Sequence, residues 1–394
     1  MISIHDKSLC CGCGSCALSC PKSAIKMHID EAGFIFPSVN NDLCVECDIC
    51  EKKCPVLNHD NELDTNHQIY IAYAKDETIR YNGSSGGMFG LIAKKVISSG
   101  GIVYGAAFRK NFKLKCTKAS NLEELKLLYK SKYLQSDLSN SFIEIKDILN
   151  TGKQVLFVST PCQVYALKLY LDKDYENLFT VDFVCHGVPS QALFDKCLEY
   201  VEQRKNIRLL EYSFRAKKRN GTTPHYCKLK YEKNGKIKEK IMLYTDSPFY
   251  YGFQKYITLR DSCYDCHFSY SNRTSDITIG DFHEVDKYIK GINRFDGISN
   301  VVINTPKGNN LWNEIKSQSV YQTLDFSMLL DNKELMCGGT KKPVERDEFI
   351  SDLISKNFDE VVENHLKCKT KYIKKMYYSM PKILRKIMKK VLIR

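Results

Sequence analysis

Residues 10–21 read Cys10-Cys-Gly-Cys-Gly-Ser-Cys-Ala-Leu-Ser-Cys-Pro21, and residues 44–55 read Cys44-Val-Glu-Cys-Asp-Ile-Cys-Glu-Lys-Lys-Cys-Pro55. Both contain C-x2-C-x2-C-x3-C-P, with Cys10, Cys13, Cys16 and Cys20 ahead of Pro21 and Cys44, Cys47, Cys50 and Cys54 ahead of Pro55. This run holds [4Fe–4S] cubanes through thiolates, and its fourth cysteine serves the other cube. Three closely spaced cysteines wrap three corners, and the fourth departs on a short helix. The expected ligand sets are therefore crossed: Cys10, Cys13, Cys16 and Cys54 for one cluster, and Cys44, Cys47, Cys50 and Cys20 for the other. Zinc sites use paired cysteines rather than two copies of a four-cysteine run ending in proline. A disulfide framework needs an oxidising compartment, of which the sequence carries no sign. Cys11 is an additional thiol; the register through Cys10 keeps the repeat intact without it, so it is expected not to bind iron.

Between the two runs, residues 24–39 alternate through Ile25, Met27 and Ile29, turn near Gly33, and continue through Phe34 and Phe36. That pattern predicts a hairpin, an apolar lid over the inorganic core of a small ferredoxin-type domain spanning residues 1–60. A polar linker at 61–67 follows. Beyond it, strand-like runs at Ile69–Ala74, Gly101–Ala107, Val155–Ser159, Leu178–Cys185, Lys228–Tyr231, Ile277–Gly280 and Ser299–Asn304 alternate with helical stretches near 87–99, 121–129, 138–150, 162–172 and 190–205. The fold class expected is an α+β ferredoxin domain followed by an α/β domain with a mixed sheet at 68–345, then an amphipathic helical tail at 346–394.

The 394-residue chain carries a net charge of +13, which resembles a nucleic-acid signal until it is located. Residues 364–394 hold eleven Lys and Arg and no Asp or Glu, so the basic character belongs to the tail, and no recognition motif for nucleic acid accompanies it. After Pro381, Ile383, Leu384, Ile387, Met388, Val391 and Leu392 recur at helical spacing, with Lys382, Arg385, Lys386, Lys389 and Lys390 on the other face. Such a helix suits an anionic membrane surface, at about 1 kcal/mol per basic residue. The alternative is a helix docked on its own domain with its lysines solvated. Neither a signal peptide nor a run of about 18 apolar residues is present. With 18 cysteines, the expected setting is a reducing cytoplasm, with peripheral contact at the inner face of the membrane.

Four motifs in the large domain carry chemistry. Ser84-Ser85-Gly86-Gly87 opens the helix near Met88, where small residues and unpaired N–H groups suit a phosphate; a helix cap with a flexible turn explains the same residues. Ser159-Thr-Pro-Cys-Gln163, Val184-Cys-His-Gly-Val-Pro-Ser190 and Arg260-Asp-Ser-Cys-Tyr-Asp-Cys-His267 add four cysteines. Cys162, Cys185, Cys263 and Cys266 could together surround another [4Fe–4S] cube or one zinc ion. Buried small hydrophobes are the bland reading of single cysteines, but the polar neighbours of Cys263 and Cys266 do not make a core strand.

In order and content these motifs, with Ser131-Lys-Tyr-Leu-Gln-Ser136, Ser275-Asp-Ile-Thr-Ile-Gly-Asp281 and Asp296-Gly-Ile-Ser299 leading to Val302-Ile-Asn-Thr-Pro-Lys-Gly308, resemble the beta-subunit family of coenzyme F420-reducing hydrogenase and F420-linked formate dehydrogenase. The likeness runs from Cys10 to about Trp312, and similar chains accompany bacterial surface-polysaccharide genes. It implies FAD against Ser84, Ser85, Gly86 and Gly87, with Lys132 and Gln135 near the isoalloxazine. Lys132, as the catalytic candidate, would stabilise negative charge on reduced flavin. A third cluster in the core is implied as well, with Cys162, Cys185, Cys263 and Cys266 as its ligands and His186 beside them. Ser159, Asp261 and His283 depart from the residues usual in the family. The function so implied is an iron–sulfur flavin oxidoreductase relaying single electrons between clusters and FAD. Hydride exchange would be with F420, NAD(P)H or a pathway intermediate, and a ferredoxin or another redox protein would be the partner. The rival readings are an electron-transfer subunit without its own substrate and a membrane-surface module of a glycan assembly complex.

Overall fold

The structure, a computed structural model, describes residues 7–59, 67–217, 225–282, 297–325, 336, 338–380 and 384–385. Linker residues 61–66, His283, Asp296 and all but Leu384 and Arg385 of the helical repeat after Pro381 lie outside them.

In the N-terminal domain, β1 (Ile25–Ile29) and β2 (Ile35–Val39) pair antiparallel, with Ile25 opposite Val39 and Ile29 opposite Ile35. Ile25 and Met27 pack with Cys16, Cys20, Cys50 and Cys54, while Phe34 and Phe36 pack with Cys10. The hairpin is thus the expected apolar lid, except that Ile29 is 67% exposed and takes no part. At the turn, Gly33 has φ +88°, and a Cβ there would stand 2.5 Å from Ala192 Cβ. The tip of the lid is pressed against the large domain.

That large domain is built on an eight-stranded mixed sheet ordered β13-β3-β12-β11-β7-β6-β4-β5. Its strands are β3 (Gln68–Ala74), β4 (Ile102–Phe108), β5 (Leu114–Ala119), β6 (Val155–Ser159), β7 (Leu178–Phe183), β11 (Ile277–Asp281), β12 (Ser299–Ile303) and β13 (Ser319–Leu324). The central strands β4, β6, β7 and β11 run parallel, and the flanking pairs are antiparallel. Side chains alternate between faces, as period two requires. Val103 and Leu156 meet helices Met88–Ser98 and Pro306–Ile315 through Leu91, Ile92, Trp312 and Ile315. Ile102, Tyr104, Val155 and Phe157 meet helices Ser141–Asn150 and Pro161–Leu171 through Phe142, Ile145, Val164 and Leu167. With both faces covered, the central strands read as near-continuous apolar runs.

A smaller antiparallel sheet, β8 (Arg208–Ser213), β9 (Tyr226–Lys233) and β10 (Lys236–Leu243), packs on helix Gln191–Lys205 and on Phe249 and Phe253. Residues 346–366, grouped by charge and position with the tail, supply Phe349, Leu353, Val361, Val362 and Leu366 to this same core. Their apolar residues are too widely interrupted by acidic ones to stand out in the sequence. Arg346, 2% exposed, donates from Nε and Nη2 to the Leu259 carbonyl at 3.1 and 2.8 Å, which ties the segment to the loop ahead of Cys263.

Gly86 lies close against the sheet backbone: a Cβ would stand 2.4 Å from the Ala72 carbonyl oxygen and 2.9 Å from the Ser299 amide nitrogen. Neither atom can rotate away. Gly86→Ala is therefore expected to lower the urea unfolding midpoint, by about 1–3 kcal/mol of stability.

Candidate redox centre

Parallel strands collect loops at their carboxyl ends, where α/β folds place ligands. β6 ends at Ser159 and delivers Cys162; β7 ends at Phe183 and delivers Cys185; β11 ends at Asp281, which itself faces the same space. These loops enclose a cavity of about 290 Å³ whose lining includes Ser84, Ser85, Gly87, Lys132, Gln135, Cys162, Cys185, Cys263 and Cys266. All the expected flavin and core-cluster residues except Gly86 thus line one cavity. Gly86 is buried behind it and donates to Ser299 Oγ at 3.0 Å.

The four core thiols line this one cavity. Burial raises three of them: Cys185 is pushed up to about 12 with Cys162 and Cys266 adding, Cys263 is raised with Cys185, Cys266 and Cys162 adding, and Cys266 is raised with Cys162 adding. Cys162 is raised well above its ordinary value, first by contact with Cys11 and then by burial. The approach of the loops depends on Gly187, at φ +112°, where a Cβ would stand 2.8 Å from Cys263 Cβ.

The spacing of these thiols bears on what they fit. A tetrahedral zinc with bonds of about 2.3 Å would hold its sulfurs roughly 3.8 Å apart. Among the described residues, the only three metal-capable side chains with ligand atoms all within 4.8 Å of one another are Glu348, Asp352 and His365. There Asp352 already accepts from His365 at 2.9 Å and from Lys356 at 3.0 Å. No three of the core thiols have their sulfurs all that close to one another.

In the N-terminal domain, Cys20, Cys44, Cys47 and Cys50 line a second cavity of about 20 Å³, the membership expected of one crossed set. Burial raises both Cys16, to about 12, and Cys54, with Cys10 and also Cys50 adding to each, so Cys10, Cys16 and Cys54 are neighbours and Cys50 of the other set stands close to them. Cys13 belongs with them through Cys11, whose thiol contacts both Cys13 and Cys162. Cys11 is thus wedged between the first thiol set and the core nest, a place that its position in the repeat gave no reason to expect.

The Ser84–Gly87 turn is anchored from several sides. Ser84 Oγ accepts from the Ser131 amide at 2.6 Å, Ser85 Oγ donates to the Ile298 carbonyl at 2.6 Å, and Gly87 enters helix Met88–Ser98 at φ +86°. Two cations that sequence reading did not single out grip its carbonyls. Arg215 donates to Ser84 O at 3.0 Å and also to Asp281 and Tyr133, and Lys217 donates to Ser85 O at 2.8 Å and to Arg80 O. Their only sequence signal is their place just after β8.

Lys132 lines the cavity, but its ammonium donates to the carbonyls of Leu127 and Tyr129 at 3.1 and 2.8 Å. Burial, then the neighbouring Lys130, lowers it to about 7. Gln135 turns toward the N-terminal domain, with Nε2 donating to Cys11 O and Gly12 O at 3.1 Å each. His186 lines the cavity, and its carbonyl accepts from Thr340 at 2.7 Å.

Fold and thiol geometry define an iron–sulfur electron-transfer protein. Residues 9–58 match the family model for a 4Fe–4S dicluster domain, and residues 152–328 match the model for the C terminus of the coenzyme F420 hydrogenase/dehydrogenase beta subunit. Residues 152–328 thus carry the C-terminal module of that beta subunit, and residues 9–58 a dicluster domain. Among solved structures it is similar to a chain of the F420-reducing [NiFe] hydrogenase complex from Methanosarcina barkeri, at 19% identity, with 77% of this chain and 94% of that chain covered and a TM-score of 0.44. No curated protein matches it.

An unfolded lysine keeps its proton up to about 10.5, whereas folded Lys132 releases it near 7. Unfolding therefore takes up a proton in that interval, and Lys132 makes the fold gain stability as pH rises from 7 towards 10.5. Urea midpoints measured at several pH values between 7 and 9 should show this rising component in the wild type and lose it in Lys132→Met.

Proposed function

We propose that the chain is an iron–sulfur flavoprotein oxidoreductase with three [4Fe–4S] clusters and one FAD. The single observation that carries this reading is the convergence of the core thiol nest, the Ser84–Gly87 turn and Lys132 on one cavity that also reaches Cys11 of the N-terminal domain. A bound flavin would supply the exchange between a two-electron hydride and the single electrons that clusters carry.

The chain's own residues have separable tasks. Cys10, Cys13, Cys16 and Cys54 hold the first cluster, Cys20, Cys44, Cys47 and Cys50 the second, and Cys162, Cys185, Cys263 and Cys266 the third. Ser84, Ser85 and Gly87 shape a turn at the start of a helix, where a diphosphate meets N–H groups and the helix dipole. Arg215 and Lys217 place positive charge at the same turn. Lys132 is poised near neutrality, so it can carry a proton or a positive charge where negative charge develops. At about 290 Å³, the cavity sits at the lower end of small-molecule pockets, and the ring system rather than the whole dinucleotide is its natural occupant. The exchange partner is a hydride-carrying coenzyme of the F420 or NAD(P)H type, or an intermediate of polysaccharide synthesis. A ferredoxin or another redox protein meets the N-terminal clusters.

Helix Lys371–Ser379 supports contact with an anionic membrane surface. One face docks on the large domain through Lys375 and Asp246 at 2.8 Å and through Lys374 over Tyr244 and Tyr251. The other leaves Tyr372, Ile373 and Met376 more than half exposed, apolar groups among lysines as interfacial helices require. No helix among the described residues is long and apolar enough to cross a membrane.

Anaerobically reconstituted protein is expected to release FAD on denaturation and to contain roughly twelve irons per chain. Cys263→Ser should lose about a third of that iron and one cluster signal in electron paramagnetic resonance, leaving the N-terminal pair. Protein without flavin, or one zinc ion in place of the four lost irons, would overturn the reading. Truncation after Thr370 should abolish sedimentation with phosphatidylserine vesicles while leaving iron content unchanged; unchanged sedimentation removes the membrane role.

A further inference from the structure

Arg260 is 1% exposed, and every group it binds is neutral. Its Nε donates to Cys10 O at 2.5 Å, Nη2 to Ile35 O at 2.8 Å and Nη1 to Gln135 Oε1 at 3.2 Å, and its guanidinium lies 4.2 Å from the centre of the Phe36 ring. Among the described residues no carboxylate stands within 4.0 Å of it. Arg273, whose charge acts on Cys185 and Cys266, has Asp182 at 3.6 Å, and Arg346 has Asp261 at 3.5 Å. A buried charge without a partner is strongly destabilising, so folded proteins pair such charges.

What Arg260 touches indicates the anion it would face. It holds the backbone of Cys10 and lies three residues before Cys263. Cys11, between them, has its thiol against both Cys13 and Cys162. Arg260 thus stands where the first N-terminal thiol set meets the core nest, and it does not line the cavity formed by Cys20, Cys44, Cys47 and Cys50. A cubane with four thiolates is anionic in both redox states and becomes more so on reduction, so a nearby fixed cation favours the reduced form; net charge is among the factors that set such potentials.

We propose that Arg260 is the shared counter-charge of the first N-terminal cluster and the core cluster. It is a positioning residue that raises both potentials together and so keeps them matched for one-electron exchange across the domain junction. This inference rests on the three-cluster reading. The second N-terminal cluster, bound by the other crossed set, lies outside its influence.

The test is a redox titration of the reconstituted full chain, followed by electron paramagnetic resonance, with each cluster assigned by its own cysteine variant. Arg260→Gln should make reduction of the first and core clusters less favourable by roughly tenfold or more, at about 59 mV per tenfold for a one-electron couple, and leave the second cluster unmoved. Arg260→Lys keeps the charge and should hold both potentials near the wild type, as should Gln135→Leu, which removes a neutral anchor of the same loop. Equal shifts in all three clusters, no shift in Arg260→Gln, or a large shift in either charge-preserving variant would overturn the proposal. Should Arg260→Gln fail to fold, the two charge-preserving variants decide alone. A wild type with only two clusters would remove the core-cluster reading instead, and Arg260 would then be judged on the first cluster by the same comparison.

Discussion

A buried guanidinium joins the two halves of the molecule, and most of the redox architecture depends on where it sits. By engaging the carbonyls of Cys10 and Ile35 and the amide of Gln135 at once, Arg260 fixes the first cysteine loop, the lid hairpin and the Lys132–Gln135 segment relative to one another. The loop must be bare for this to work. Gly12 is at φ +64°, and a Cβ there would meet the Gln135 amide nitrogen at 2.7 Å and the Arg260 Nη1 at 2.8 Å. The lid adds a second clamp, with Ser190 Oγ donating to the Ala32 carbonyl at 3.1 Å beside Gly33. Docking at two points leaves the small domain little freedom to rotate against the large one.

Much of this was legible in the chain because it was local. The doubled cysteine run, the hairpin between its copies and the buried parallel strands are each written in consecutive residues whose spacing has one physical meaning. The loops holding Cys162 and Cys185 could be placed at strand ends for the same reason, and the structure puts them there. What was not legible depends on partners distant in sequence. Arg260 reads as an ordinary residue ahead of C-x2-C until the Cys10 carbonyl arrives from 250 positions away. Gln135 reads as a flavin neighbour, yet its amide faces Cys11 and Gly12. Strand β10 was missed although Ile237, Ile241 and Leu243 alternate with Lys236, Lys238 and Lys240; Glu239 interrupts the apolar face, and the strand is exposed over most of its length. The helices at 346–366 escaped because basic charge drew the tail boundary, whereas their scattered apolar residues decide where they pack.

Positive groups gather around the cavity more densely than a polypeptide alone would favour. Lys132 is lowered to about 7 because burial, and then Lys130, make its charged form costly. Arg215 and Lys217 spend their donors on carbonyls of a turn that faces the cavity, and two N–H groups of Arg273 lack a hydrogen-bond partner among the described residues. The thiols nearby are held protonated by the same burial. Each cost falls away when anionic groups occupy the site: thiolates then have metal to bind, and the cations then have charge to face. Ligands that bind only the folded chain add their binding free energy to its stability. On the proposed cofactor content, folding of the large domain and loading of those groups would be one linked equilibrium, with the thiol nest and the surrounding cations supplying its two opposite charges.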